Sequence, residues 1–306
     1  MRILVLGEAL MDCVAQADGR LLPLMGGSPF NMARAAALRG AQVSYLNPVS
    51  TDQFGQGMRT QLERDGVQTS HRVSRLPTSL AVVQITDGQP SYGFYREGIA
   101  DRDFTPEQVL AELAAQTPGV LHTGSLLLVP PEHEKVLTVL RGAKALGWTI
   151  SVDVNLRPKL AADLAAYVAA VHAVYALADW IKASDDDLEL LGFEAPSRAN
   201  AADIAKHFIA QGCSRMALTF GSEGAYLVVD GHSAQQDVPQ VTLVDSVGAG
   251  DTFWGNCVAD WALNTAGAAE RADTTLRQAM CAAAINCTRA GCQPPTFAEV
   301  QAQFGS

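Results

Sequence analysis

The segment Val244-Asp245-Ser246-Val247-Gly248-Ala249-Gly250-Asp251-Thr252-Phe253 carries the densest chemistry in the sequence. Gly248, Ala249 and Gly250 leave the backbone open to close approach, and a helical pattern begins near Ala249 and runs to about Leu263. Amides at such a helix start, where partial positive charge gathers, favour an anion. Asp251 falls in the first turn, beside any phosphate bound there. Two negative groups side by side make sense if the carboxylate takes a proton from an attacking hydroxyl. A capping aspartate after a glycine turn is the plain alternative.

Other segments offer polar groups of complementary kinds. Asp12 ends a first apolar segment, and Gly27 and Asn31 stand at the next helix start. A carboxylate and an amide suit a polyol, because they accept from or donate to vicinal hydroxyls; capping a loop or a helix is their alternative use. Asp153-Val154-Asn155-Leu156-Arg157-Pro158 follows a strand-like run, and the Arg157 fork suits phosphate or a carboxylate. Its place at a strand's C-terminal end is where open α/β sheets bind ligands. Ser184-Asp185-Asp186-Asp187 is an acidic run that suits a solvated helix start favoured by the dipole.

These groups need a scaffold, and the hydrophobic pattern supplies one. Strand-length apolar runs at Ile3–Leu6, Gln42–Leu46, Gly119–Thr123, Thr149–Asp153, Trp180–Ala183, Met216–Phe220 and Ala225–Val229 alternate with helical stretches such as 131–146 and 160–177. Ser28 and Pro29 suit a helix start and Gly40 its stop; Thr105 with Gln108 reads as a capping box. A β-branched stretch from Val241 to Val244 leads into Asp245. This rhythm predicts an α/β fold on a mostly parallel central sheet flanked by helices. From Thr78 to Arg96 the rhythm breaks: two β-rich runs flank Asp87-Gly88, a hairpin turn signal with no crossover helix. With residues 13–24 they could form a small sheet standing off the main body, either a lid or an edge hairpin. No linker or repeat divides residues 1–306, so one domain with this sheet inserted (13–24 and 78–100) is expected.

Composition narrows the class. The 306 residues carry 22 basic and 32 acidic side chains, a formal net charge of −10, which argues against a nucleic-acid partner. No window approaches the ~20 apolar residues of a membrane helix, and the N-terminal run is too short for a secretory signal, so a cytoplasmic location is expected. The six cysteines form no CxxC pair and the six histidines no zinc spacing; reduced thiols are expected. No Walker A sequence is present, which excludes a P-loop kinase, and no GxGxxG follows the first strand, which removes a dinucleotide-binding dehydrogenase.

The string D-S-V-G-A-G-D-T-F resembles the C-terminal signature of the PfkB (ribokinase-like) carbohydrate kinases. Gly26-Gly27-Ser28-Pro29-Phe30-Asn31-Met32-Ala33, Gly7 to Asp12, Thr219-Phe220-Gly221-Ser222-Glu223-Gly224 and Cys287 to Gly291 resemble further family segments in family order. The resemblance implies a ribokinase-like fold and ATP-dependent phosphorylation of a sugar hydroxyl. It makes Asp251 the general base, with Gly248, Ala249 and Gly250 as the anion hole, and Asp12, Gly27, Asn31, Asn155 and Arg157 as sugar- or phosphate-side residues. Thr219, Gly221, Gly224, Asn286 and Gly291 are implied for ATP, with Lys182 and Ser184 beside them. Mg²⁺ is implied near Asp187, although Ser184 and Asp187 depart from the family's N-x-x-E. A monovalent cation such as K⁺ is implied near Asp245 and Val247.

Tyr92 to Asp101, with F-Y-R followed by A-D, is similar to bacterial and plant fructokinases. Phe94 would cover the sugar and Arg96 would reach a hydroxyl or carboxylate, with D-fructose as the expected acceptor. A 2-keto-3-deoxygluconate kinase, whose substrate carboxylate Arg96 would meet, is the alternative. A non-catalytic sugar sensor on the same fold is a further one. An exposed lid edge also invites pairing of two copies.

Overall fold

The computed structural model describes residues 1–16, 18–86 and 89–305. In chain order its N-terminal half holds β1 (Ile3–Val5), β2 (Leu10–Ala15), β3 (Leu21–Gly26), α1 (Ser28–Leu38), β4 (Val43–Tyr45), β5 (Val49–Ser50), α2 (Gln53–Arg64), β6 (Gln68–Thr69), β7 (Val73–Ser74), β8 (Ser79–Thr86), β9 (Gln89–Tyr95), α3 (Pro106–Ala114), β10 (Val120–Gly124) and α4 (His133–Ala145). The remainder holds β11 (Thr149–Asp153), α5 (Leu164–Tyr175), β12 (Trp180–Ser184), α6 (Asp185–Leu190), α7 (Ala201–Ala210), β13 (Arg215–Thr219), β14 (Ala225–Val229), β15 (His232–Gln236), α8 (Ala249–Leu263), α9 (Ala272–Cys287) and α10 (Phe297–Phe304).

Nine strands form the main sheet in the order β15-β14-β13-β12-β11-β10-β1-β4-β6. Every pair from β6 to β13 is parallel, and the β13-β14 and β14-β15 pairs at one edge are antiparallel, so β14 alone runs in reverse. Parallel neighbours need crossovers, and the helices that supply them cover both faces. Successive residues of β1 therefore enter different cores. Leu4 and Leu6 pack with Leu121, Ile150, Val152 and Ile181, whereas Ile3 and Val5 pack with Val43, Tyr45, Trp180, Trp254 and Trp261. This is the physical content of the unbroken apolar run at the N-terminus: alternate side chains point to opposite, equally buried faces. Helix α8 is buried from Asp251 to Ala262, consistent with its apolar surroundings on all sides.

The segment that breaks the rhythm forms a separate four-stranded sheet, β3-β2-β8-β9. Strands β8 and β9 pair antiparallel, as the absent crossover required; their turn, Asp87-Gly88, lies outside the described residues. Strand β2 begins at Leu10, three residues before the expected boundary, and pairs antiparallel with β3 and parallel with β8. Its register aligns Leu24, Asp12, Ala81 and Phe94 across the sheet, so these residues share one face.

One local expectation is corrected, and one β-branched stretch takes no regular structure. Helix α1 starts at Ser28 itself, with Gly27 at the N-cap and no side-chain cap bond, so the Ser28 hydroxyl does not serve the helix end. Val241 to Val244 is not a strand. The amides of Val244 and Asp245 instead bond to the Cys287 carbonyl at 2.8 and 3.2 Å, satisfying an acceptor at the α9 C-terminus that the helix leaves open.

Candidate active site

A cavity of about 590 Å³ opens between the small sheet and the C-terminal ends of the parallel strands. Strand β1 delivers Glu8 just past its end, β10 delivers Ser125, and β11 delivers Asn155 and Arg157. The small sheet contributes Asp12, Leu24 and Phe94 from its shared face, so it covers the cavity as a lid. From the opposite side come Gly27, Ser28 and Asn31 at the start of α1, and Gly248 to Asp251 at the start of α8. Two helix N-termini thus converge on one space, and both favour negative charge there.

Asp251 is held by both oxygens. Ser28 Oγ donates to Oδ1 at 2.7 Å, and Asn31 Nδ2 donates to Oδ2 at 2.9 Å. Asn31 lines the cavity at 3% exposure, but its Oδ1 atom is itself covered and has no hydrogen-bond partner among the described residues. Gly248 has φ +74°, and a Cβ placed there would lie 2.1 Å from Cys292 Sγ, so both backbone conformation and space demand glycine. The Ala249 amide is turned onto Ser246 O at 3.2 Å, so Gly250 and Asp251 offer the less engaged first-turn amides.

Lys182 Nζ lies beneath this turn, 3.2 Å from where a Gly250 Cβ would stand. It donates to both oxygens of Asp153, at 2.9 and 3.0 Å. Burial pushes the lysine down, but Asp153, Asp187 and Asp251 together hold it above its ordinary value. Burial pushes Asp153 up to about 7 against the pull of Lys182. The expected ATP-side lysine is therefore a buried ammonium on the cavity wall with a fixed counterion. Asp12 is pushed up to about 6 by burial and by the charge of Asp251, with Arg157 opposing. Glu8 rises to about 7, chiefly by burial, with Arg96 opposing.

Several expected residues sit elsewhere. Arg96 does not line the cavity: it is 6% exposed and pairs with Asp101 Oδ2 at 3.3 Å behind the wall, where its charge offsets Asp101. Asp187 closes the capping box of α6, accepting from Ser184 N and Oγ at 2.9 and 2.8 Å, and also accepts Leu156 N at 2.7 Å. Those bonds make it a structural cap. Among the described residues no three His, Cys, Asp or Glu side chains gather as a metal cluster.

Ser184 faces a neighbouring recess of about 400 Å³ with Asn155, Arg157, Asp186 and Asp187. Thr219 ends β13 opposite Ser184, with Gly221 and Gly224 just past it, and none of the three is on the main cavity wall. Asn286 is fully buried, donating to Val247 O and accepting from Gln293 N, both at 2.8 Å; Gly291 reaches the wall. Asp245 accepts Val247 N at 3.0 Å and Gly291 N at 2.8 Å, drawing the cation candidates Asp245 and Val247 against the loop after α9. Sequence reasoning missed the cavity roles of Ser28, Glu8 and Ser125. Ser28 stands inside the Gly-Gly-Ser segment, where a serine before proline suits a helix start and nothing local points to the cavity.

Residues 1–298 match the family described as pfkB family carbohydrate kinase. A fructokinase of Rhizobium leguminosarum bv. trifolii is 31% identical over 256 residues, covering 82% of this chain and 77% of that protein. A 2-dehydro-3-deoxygluconokinase of Bacillus subtilis (strain 168) is 30% identical over 237 residues, 75% of this chain and 71% of that one. Among solved structures, fructokinase with bound ATP from Xylella fastidiosa superposes with a TM-score of 0.85 at 26% identity over 99% of both chains.

Proposed function

The chain belongs to the pfkB family of carbohydrate kinases, and from that premise we propose that it transfers the γ-phosphoryl group of ATP to the primary hydroxyl of D-fructose. The observation that carries this reading is Asp251, clamped at the start of α8 between the sugar-side residues and the glycine turn. The sugar lies under the lid, its hydroxyls meeting Asp12 and Asn155, with Phe94 against an apolar face. Asp251 takes the proton of the primary hydroxyl as its oxygen bonds to the γ-phosphorus. The bond from that phosphorus to the β,γ-bridging oxygen breaks, giving fructose 6-phosphate and ADP, and the proton leaves Asp251 for solvent. The Gly250 and Asp251 amides, with Lys182 beneath them, stabilise charge on the transferring group.

The nucleotide runs from this turn towards Thr219, Gly221 and Gly224, with Gly291 and Val247 beside it. Mg²⁺, when bound, would neutralise phosphate charge; with no carboxylate cluster among the described residues to cage it, the ion fits as one carried on the phosphates with its waters, near Asp186 and Asp187. A K⁺ ion would rest on Asp245 and the Val247 carbonyl, whose oxygens each accept one amide and keep a second lone pair. ATP as donor places the enzyme in the cytoplasm. A second copy covers the outward lid face, where Tyr95 and Leu21 are 65% and 50% exposed.

The pairing of Arg96 with Asp101 favours a neutral sugar over the ketoacid, since it removes the cation expected to meet a carboxylate. A coupled ADP-release assay with fructose, 2-keto-3-deoxygluconate, ribose and inosine tests the reading. The highest kcat/KM is expected with fructose. Preference for the ketoacid would replace the substrate, and tight sugar binding without turnover would make the chain a sensor.

A further inference from the structure

We propose that Ser28 is a positioning residue for the proposed base: its hydroxyl, bonded to Asp251 Oδ1 at 2.7 Å, fixes the plane of that carboxylate for proton abstraction. The inference rests on the kinase reading and deepens it.

A serine at a helix start usually spends its hydroxyl on the helix's own amides. Ser28 does not; α1 has no side-chain cap bond. Its backbone amide goes to Glu8 Oε1 at 3.2 Å and its hydroxyl crosses to α8, so the residue bridges two carboxylates with separate donors. Ser28 is 6% exposed, Asn31 3% and Asp251 9%, so water competes little with either bond to Asp251. A carboxylate turns easily about its last torsion unless each oxygen has its own donor. Here the two donors stand three residues apart on one turn of α1 and grip one oxygen each. Each oxygen uses one lone pair in this clamp and keeps another for the acceptor hydroxyl.

The clamp stays rigid because α1 and α8 touch. A Cβ at Gly255, one turn beyond Asp251, would meet Met32 O at 2.7 Å and Ala35 Cβ at 2.8 Å. The helices approach this closely only because that position is glycine. Asn31 also holds a buried Oδ1 with no partner among the described residues, so its replacement would change that acceptor as well as the bond to Asp251. Ser28 has one side-chain polar atom, so Ser28→Ala removes the bond to Asp251 alone.

The test is steady-state kinetics of the full chain with ATP and the best sugar of the substrate panel. For Ser28→Ala, kcat is expected to fall about tenfold to a hundredfold while both KM values stay within about twofold, as for an interaction that matters in the transition state. Ser28→Thr, which restores a hydroxyl, should recover most of the loss. Ser28→Cys, of similar shape with a weak donor, should behave like Ser28→Ala and replaces it if the alanine variant does not fold. Unchanged kcat in folded Ser28→Ala or Ser28→Cys, or a raised sugar KM with unchanged kcat, overturns the positioning role while leaving the kinase reading intact. A wild-type chain that turns over no sugar removes the kinase reading, and the proposal with it.

Discussion

Lys182 Nζ and the two carboxylate oxygens of Asp153 form a buried ion pair, at 2.9 and 3.0 Å, directly under the Gly250 turn. Both side chains are nearly inaccessible, at 6% and 2% exposure. A chain with a net charge of −10 thus places one ammonium, with its counterion, on the wall of the cavity proposed to take a triphosphate. Overall charge argues against polyanionic partners, whereas the local placement of Lys182, Arg157, Lys159 and two helix ends on the wall decides how a small phosphate is met.

Breaking this pair from one side leaves an uncompensated buried charge, which typically costs about 3–5 kcal/mol. Lys182→Met should therefore lower the urea unfolding free energy by an amount in that range. Adding Asp153→Asn should return much of it, because the stranded charge is gone. Equal losses in the single and double variants would show that the two residues do not stabilise the fold as a pair. Turnover should stay low in both, since neither restores the cation under Gly250.

Asp251→Asn keeps the shape of the side chain and an acceptor for Ser28 Oγ, but it cannot take a proton. Loss of a general base typically costs about 10²–10⁴-fold in rate. Sugar-dependent turnover should fall by at least a hundredfold, with the ATP dissociation constant within a few-fold by calorimetry. Residual turnover near the wild-type rate would remove Asp251 from the base role.

Gly255→Ala adds one methyl where Met32 O would stand 2.7 Å away. Alanine improves helix propensity by about 1 kcal/mol, but forcing backbone apart in a packed interface costs typically about 1–3 kcal/mol. A net loss of thermal stability is expected, with kcat reduced because α1 carries both donors to Asp251. A variant as stable and active as the wild type would show that the helix contact has slack.

The sheet, its helices and the glycine turn were legible in the sequence because they rest on local rules. The run Ile3 to Leu6 announces a strand covered on both faces, and Gly248 to Gly250 announces an open helix start. Asp12 and Asn31 were legible as polar groups at element ends. What failed were partnerships across the chain. Nothing local to Arg96 reveals Asp101 as its buried partner, nothing near Ser28 points 223 residues onward to Asp251, and Val241 to Val244 has strand propensity but no strand beside it to pair with. Asp187 was legible only as an ambiguity: a carboxylate three residues after a serine suits both a metal and a capping box, and the bonds from Ser184 N, Ser184 Oγ and Leu156 N, the last from outside the motif, show the capping use.

Glu8 carries the pH dependence furthest. Its carboxyl is buried against Arg96, Asp101 and Ser125, accepts Ser28 N through Oε1, and leaves Oε2 without a partner among the described residues. Burial raises it from 4.5 to about 7, so the folded chain holds a proton there that the unfolded chain has released. That contribution to stability is complete below about pH 4.5 and is lost as pH rises through 7. Asp12, raised from 3.8 to about 6, adds a loss of the same sign over a lower window. Glu8→Gln imitates the protonated form, keeps the acceptor for Ser28 N and cannot ionise. Its melting temperature, followed by calorimetry from pH 5 to 8, should match the wild type near pH 5 and exceed it at pH 8. Two parallel curves would mean that Glu8 does not titrate in this window. Arg96 would then hold the carboxylate ionised despite its burial.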